Sequence, residues 1–186
     1  METFTEIFNQ IMSFGVFALI PASAALICAL ARPRSAFGRE VSAFVSAHIL
    51  WLGFGISFAA IVSSLIYSNV IGFAPCLLCW YARIALYPQA ILYGLAILKK
   101  DGGQILDQSL ALTGFGILVT GYHTVIENVG YTLLPCTTDG ASCLARPVHE
   151  YGFITIPVMA LSACVALFLS ALVAKRASKT SAELTS

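Results

Sequence analysis

Apolar and polar positions divide the chain into five long apolar runs, at about Ile11 to Ala31, Phe44 to Ser68, Tyr81 to Leu98, Leu110 to Val129 and Ile154 to Ala174. Each is close to the roughly 20 residues with which a helix crosses the hydrocarbon of a bilayer. None shows the alternation over roughly 10 residues that marks a barrel strand. Backbone N–H and C=O groups find no water in hydrocarbon, so runs of this kind satisfy them within helices. The third run is the shortest, and its helix is expected to start within the Cys76 to Cys79 segment. The expected fold class is all-α, an integral membrane helical bundle. The connections are too short for a separate globular unit, and no internal repeat is evident.

Charge gives this bundle a direction. Lys and Arg in short connections mark the cytoplasmic face. Arg32, Arg34 and Arg39 follow the first run, Lys99 and Lys100 the third, and Lys175, Arg176 and Lys179 the fifth, so eight of the ten basic residues fall on alternate connections. The N-terminus is expected outside and the C-terminus in the cytoplasm. Glu2 and Glu6 but no basic residue precede the first run, which therefore reads as a spanning helix and not as a secretory signal. Composition agrees, with 59% hydrophobic and 10% charged residues, where a soluble domain has about a quarter charged. Neither a nucleotide-binding loop nor a nucleic-acid-binding patch stands out.

The connections on the outer side carry four of the six cysteines: Cys76 and Cys79 before the third helix, Cys136 and Cys143 before the fifth. Disulfides persist in such a location. Cys28 and Cys164 lie inside the first and fifth runs and read as small buried hydrophobes. Two residues between Cys76 and Cys79 permit a small reversible disulfide ring or half of a metal site. Pro75 suits the start of a turn or helix, and a helix N-terminus stabilises a nearby thiolate. Arg83, four residues beyond Cys79, shares a helical face with it. A guanidinium there lowers a thiol pKa and offers donors to a carbonyl or anionic oxygen. Snorkelling of Arg83 to the headgroups, with Trp80 and Tyr81 as interface belt, is the structural alternative.

Cys136 and Cys143 enclose a polar, turn-forming stretch from Thr137 to Ser142 that includes Asp139 and Gly140. Thiol exchange between two pairs explains the arrangement more directly than two structural staples, which would constrain loops already held by their helices. Metal binding would need reduced thiols in an oxidising location, with His149 as one extra ligand, and no metal is expected. Within the fourth run His123 and Glu127 are four apart and face the same way. His123 is a candidate proton donor near an acceptor, and a hydrogen-bonded pair that organises the bundle is the other reading. His48 reads as an interfacial residue, Glu150 as a residue that positions the last helix, and Pro88 and Pro157 as sites of bending. Gly53, Gly55, Ser57, Ala59 and Ala60 permit close helix approach.

Taken together, Pro75-Cys76-Leu77-Leu78-Cys79-Trp80-Tyr81-Ala82-Arg83, the later Leu134-Pro135-Cys136 with Cys143, and Glu150-Tyr151-Gly152-Phe153-Ile154-Thr155-Ile156-Pro157 resemble the DsbB/BdbC family of membrane disulfide-forming proteins. The resemblance covers about Phe44 to Ala174. It implies a thiol:quinone oxidoreductase of the bacterial inner or cytoplasmic membrane, with ubiquinone or menaquinone as acceptor and an extracytoplasmic DsbA-like thioredoxin-fold thiol oxidase as partner. It further implies that Cys136 forms the mixed disulfide with that partner and that Cys143 resolves within its pair. Cys76 and Cys79 would communicate with quinone, Cys79 meeting its ring and Arg83 a carbonyl; His123, read from its place in the fourth run and not from the resemblance, is the further candidate at the quinone. Residues 44–174 would form a four-helix redox core, 1–43 an additional transmembrane helix and cytoplasmic loop, and 175–186 a cytoplasmic tail. The first helix departs from the family pattern. A relay running electrons outward, or a non-enzymatic membrane metal-binding protein, are the competing functions.

Overall fold

A computed structural model of the chain describes residues 2–99, 105–132, 136–138 and 141–185. Lys100, Leu134, Pro135, Asp139 and Gly140, which carry part of the sequence pattern, lie outside the described residues. Five helices long and apolar enough to cross a membrane account for most of the rest. They are α1 (Glu2–Ala31), α2 (Ala36–Leu65), α3 (Leu77–Lys99), α4 (Ile105–Val129) and α5 (Ile156–Thr185). The protein is therefore an all-α, multi-span membrane bundle.

Most helices run further than their apolar cores, because polar ends reach beyond hydrocarbon without breaking the backbone pattern. Helix α2 starts well before Phe44, where the Ser35 side chain accepts the backbone N–H of Gly38 at 3.0 Å. It ends in a π-helical turn, Ile66–Val70, that carries Tyr67. Helix α4 stops at Gly130, whose φ of 74° is natural for glycine and whose N–H bonds the Ile126 carbonyl at 2.8 Å. Pro157 was expected to bend the fifth helix. It falls instead in the first turn of α5, where a missing N–H costs nothing. Pro88 lies inside α3 as read.

Helix α5 packs against α4, α2 and α1, while α3 lies between α2 and α4. The surface is turned inside out relative to a soluble protein. Leu118 is 74% exposed and Trp51 65%, whereas Ser57, Gln89, Ser109 and Thr113 are completely buried. Their groups pair in the interior, as where the Tyr93 and Ser109 hydroxyls meet at 2.8 Å and the Gln89 amide donates to the Ser109 carbonyl at 3.2 Å. Apolar side chains facing outward suit lipid, and polar groups that find partners inside suit a bundle without water; among the described residues the buried exceptions are Ser13 Oγ, the Tyr87 hydroxyl and Gln89 Oε1.

Two close approaches depend on missing side chains. A Cβ at Gly53 would overlap the Tyr93 ring, and one at Gly116 would meet the Cys164 sulfur at 2.7 Å. Cys164 is thus a packing residue, as the sequence suggested. Cys28 is not: it is exposed on the outer face of α1, where its weakly polar thiol is compatible with lipid.

Candidate functional site

The connection after the π-helical turn and the connection between α4 and α5 meet at one end of the bundle. Cys76 immediately precedes α3 and acts as its cap. Its sulfur accepts the Cys79 backbone N–H at 3.4 Å and lies 2.8 Å from the Cys79 sulfur. One turn of helix is what brings two cysteines separated by two residues into this contact. The second pair sits on a small ribbon, β1 (Thr137–Thr138) pairing antiparallel with β2 (Ala141–Ser142). Its ends are closed by the Cys136–Cys143 disulfide, with Cα atoms 5.7 Å apart. The polar, turn-forming stretch is a hairpin that presents both cysteines side by side.

The two pairs share one apolar cluster, in which Cys76, Cys136 and Cys143 are buried with Leu78 and Ile126. His123 joins them from α4. Its Nε2 lies 3.2 Å from the Cys143 carbonyl oxygen and 3.9 Å from the Cys76 sulfur. Ligand atoms of Cys76, His123 and Cys143 all lie within 4.8 Å of one another. The same three atoms answer the question of metal ligands, since His149 is exposed and outside this group. In the disulfide-bonded state the Cys143 sulfur is already committed to Cys136.

Electrostatics single out Cys76. Its thiol is brought far below the ordinary range, to about 4, chiefly by the hydrogen bond from Cys79, against which burial acts, with His123 and the Cys79 backbone N–H adding to the lowering. The sequence pattern pointed to Arg83 for thiolate stabilisation. In the structure the Arg83 guanidinium donates to the Ser64 hydroxyl at 3.0 Å and the Ser64 carbonyl at 3.3 Å, and lies 5.0 Å over the Trp80 ring. It is held beside the cysteines by α2 and by the aromatic belt at once.

Cys76, Cys79, Arg83 and His123 all line a cavity of about 480 Å³. Its remaining wall is largely apolar and comes from α1, α2 and α5 as well, including Met12, Gly15, Gly55 and Ala160. Gly15, Ala18, Gly55 and Ala59 line it and are also exposed on the outer surface. The cavity therefore opens between α1 and α2 toward the apolar face of the bundle.

Glu127 does not pair with His123, although the two share a helical face. Its carboxylate accepts the Thr155 hydroxyl at 2.7 Å, and its backbone carbonyl accepts Arg146. Both bonds tie α4 to the segment that follows the second cysteine pair. Glu150 has the positioning role expected of it. Its backbone bonds Ile154 in both directions at 2.9 Å around Tyr151 and Gly152, which adopt φ of 51° and 80°. Its carboxylate accepts Asn9 of α1 at 3.3 Å, and Asn9 in turn accepts the Tyr67 hydroxyl at 2.9 Å. His48 is exposed, stacked on Phe44, far from this end by its place on α2.

Three contributors escaped the sequence reading: Ser64, which holds Arg83; Tyr87, which lines the cavity; and α1, which forms one of its walls. Only Tyr87 carried a signal, its spacing of four from Arg83 and eight from Cys79.

Comparison with known proteins matches this architecture to a family. The family described as "Disulfide bond formation protein DsbB" matches residues 46–174. The SPbeta prophage-derived disulfide bond formation protein B of Bacillus subtilis (strain 168) is 38% identical over 124 residues, 67% of this chain and 82% of that protein. Probable disulfide formation protein C 1 of Bacillus anthracis is 36% identical over 115 residues, 61% of this chain and 82% of the relative. Disulfide bond formation protein C of Bacillus subtilis (strain 168) is 30% identical over 121 residues, 64% of this chain and 87% of its own length. No solved structure gives a significant match. The chain belongs to the DsbB family of disulfide bond formation proteins and is a membrane oxidoreductase of that family. Helix α1 lies outside the matched residues.

Proposed function

We propose that the protein oxidises the dithiol of an extracytoplasmic thioredoxin-fold partner and passes two electrons through Cys136–Cys143 and then Cys76–Cys79 to a membrane quinone. The observation that carries this reading is that both cysteine pairs pack in one apolar cluster while Cys76 and Cys79 also line an apolar cavity that opens toward lipid.

The relay follows from which sulfurs are near each other. A partner thiolate attacks Cys136, forming a mixed disulfide and releasing the Cys143 thiolate. The partner's second thiolate then displaces Cys136, so the partner leaves oxidised and the hairpin pair is reduced. With Cys76 and Cys79 joined as a disulfide, Cys143 attacks Cys76, within 4.8 Å of it, and Cys79 leaves as a thiolate toward the cavity. Cys136 then attacks Cys143, restoring the hairpin disulfide and freeing Cys76. Each exchange breaks one S–S bond and forms one, and the net result is two electrons moved to the inner pair. A thiolate at Cys76 stabilises the reduced inner pair and makes its disulfide the stronger oxidant. That is the sense the inward direction requires.

The cavity fits a quinone by the chemistry of its walls. Thiols, a guanidinium and an imidazole stand at one end, and apolar side chains line the rest. Cys79, Arg83 and His123 would hold the ring, the guanidinium facing a carbonyl. A bound quinone supplies a two-electron acceptor that takes up two protons. Arg32 and Arg34 after α1 and Lys99 at the end of α3 lie at the far end of the bundle from the cysteines, which supports an extracytoplasmic redox site with the N-terminus outside and the C-terminus inside.

The test is reconstitution with quinone and a reduced thioredoxin-fold domain, comparing wild type with separate Ala substitutions at the four cysteines. Loss of transfer in each supports the relay. Transfer undiminished by all four excludes it, and net flow only from quinol to the partner establishes the outward direction instead.

A further inference from the structure

Tyr87 lies on α3 one turn beyond Arg83 and two beyond Cys79, so the three follow one another along one face at steps of about 6 Å. All three line the cavity. The Tyr87 hydroxyl is buried and has no hydrogen-bond partner among the described residues. That sets it apart from Tyr67 and Tyr93, whose hydroxyls are paired with Asn9 and Ser109.

Nearby polar groups of the cavity wall are engaged elsewhere. Ser63 donates to the Ala60 carbonyl, Thr120 to the Gly116 carbonyl, and Ser64 receives Arg83. A buried donor without a partner at the wall of a ligand-sized apolar cavity is a recognition group for a ligand's acceptor atom. A para-quinone carries carbonyl oxygens at opposite ends of its ring. Arg83 stands beside Cys79 at one end, and Tyr87 is the next donor along the same helix face.

Resting on the quinone reading of this cavity, we propose that Tyr87 is the second anchor of the acceptor, its hydroxyl donating to the carbonyl oxygen farther from Cys79. The pair then fixes the ring along α3, with one carbonyl near Arg83 and the other near Tyr87. Tyr87 thereby selects for acceptors with two opposed carbonyls over other isoprenoid lipids that reach the same mouth.

Tyr87→Phe keeps the ring and removes only the donor. Quinone affinity of the purified protein in nanodiscs, and infrared spectra of quinone ¹³C-labelled at one carbonyl or the other, read the interaction directly. The expected result is binding weaker by about 2- to 10-fold, the loss of one neutral hydrogen bond. One carbonyl band should move to higher frequency while the other stays, and the KM for quinone should rise with little change in kcat. Thermal unfolding of the variant verifies that it is folded. Unchanged affinity with both bands unmoved overturns the assignment. A wild-type protein that binds no quinone overturns the reading of the cavity itself, a result distinct from a Tyr87→Phe variant that binds as wild type does.

Discussion

His123→Gln should make the inner cysteine pair a weaker oxidant. The imidazole Nε2 is 3.9 Å from the Cys76 sulfur, at the long limit of a bond to sulfur, and it is the lesser of the two side-chain partners that hold this thiol down to about 4. A contact of that length is worth about one pKa unit, or roughly 1.4 kcal/mol. The thiolate stabilises only the reduced pair, so its loss lowers the two-electron potential by about 30 mV. The sign with pH follows from a thiol whose value is depressed. The stabilisation is complete above the ordinary thiol range and is lost as pH falls through about 4 in the wild type. In the variant it is lost about one unit sooner. The assay is redox equilibrium of Cys76–Cys79 with a thiol–disulfide buffer in a Cys136→Ala/Cys143→Ala background, with thiolate absorbance followed against pH. Coincident potentials and coincident titrations with and without the His123→Gln substitution would refute the electrostatic coupling.

Other consequences concern the frame around the site. Gly15→Leu places a side chain in open space at the cavity mouth, and should raise the KM for a long-chain quinone several-fold while thermal stability holds; unaltered kinetics would remove α1 from the acceptor site. Thr155→Val leaves the buried Glu127 carboxylate without its 2.7 Å donor, which should cost about 1–3 kcal/mol in unfolding measured in mild detergent. Gly53→Ala drives a methyl group into the Tyr93 ring, and should destabilise by about 1–3 kcal/mol, with a smaller further loss in a Tyr93→Ala background that lacks the ring. Ser64→Ala removes the hydroxyl that accepts from Arg83 and leaves only the bond to the residue-64 carbonyl; the looser guanidinium should slow quinone-dependent turnover without altering exchange at Cys136–Cys143, as stopped-flow measurement of the two half-reactions would reveal.

The bundle was legible because hydrocarbon imposes a single rule on backbone polar groups, and apolar runs of helical length state it openly. The start of α3 at Leu77 falls within the Cys76 to Cys79 segment expected for it, whereas the capping contact of the Cys76 sulfur with the Cys79 N–H is visible only in the structure. Contacts between distant segments were less legible. His123 and Glu127 share a helical face, but their partners, the Cys143 carbonyl and Thr155, come from a segment whose path depends on the turn at Tyr151 and Gly152. Arg83 gave its position and not its partner, because Ser64 is one of several serines in α2 and nothing in sequence marks which one faces α3. Helix α1 was the least legible. Its polar residue Asn9 looks like part of an exposed end, yet it is buried between Tyr67 and Glu150 and anchors the wall of the cavity.

The proposed relay turns on one step, the crossing of electrons from the hairpin pair to the inner pair by contact of Cys143 with Cys76. Acid quenching during turnover with reduced thioredoxin-fold partner and quinone, followed by peptide mapping of the disulfides, tests that step. A transient Cys76–Cys143 disulfide should rise and decay with electron flow, and should form when a Cys79→Ala/Cys136→Ala variant is equilibrated with an oxidised thiol–disulfide buffer, whose disulfide takes up the two electrons. Electron flow to quinone with only Cys136–Cys143 and Cys76–Cys79 disulfides at every time point, and free thiols in the double variant, would rule this route out.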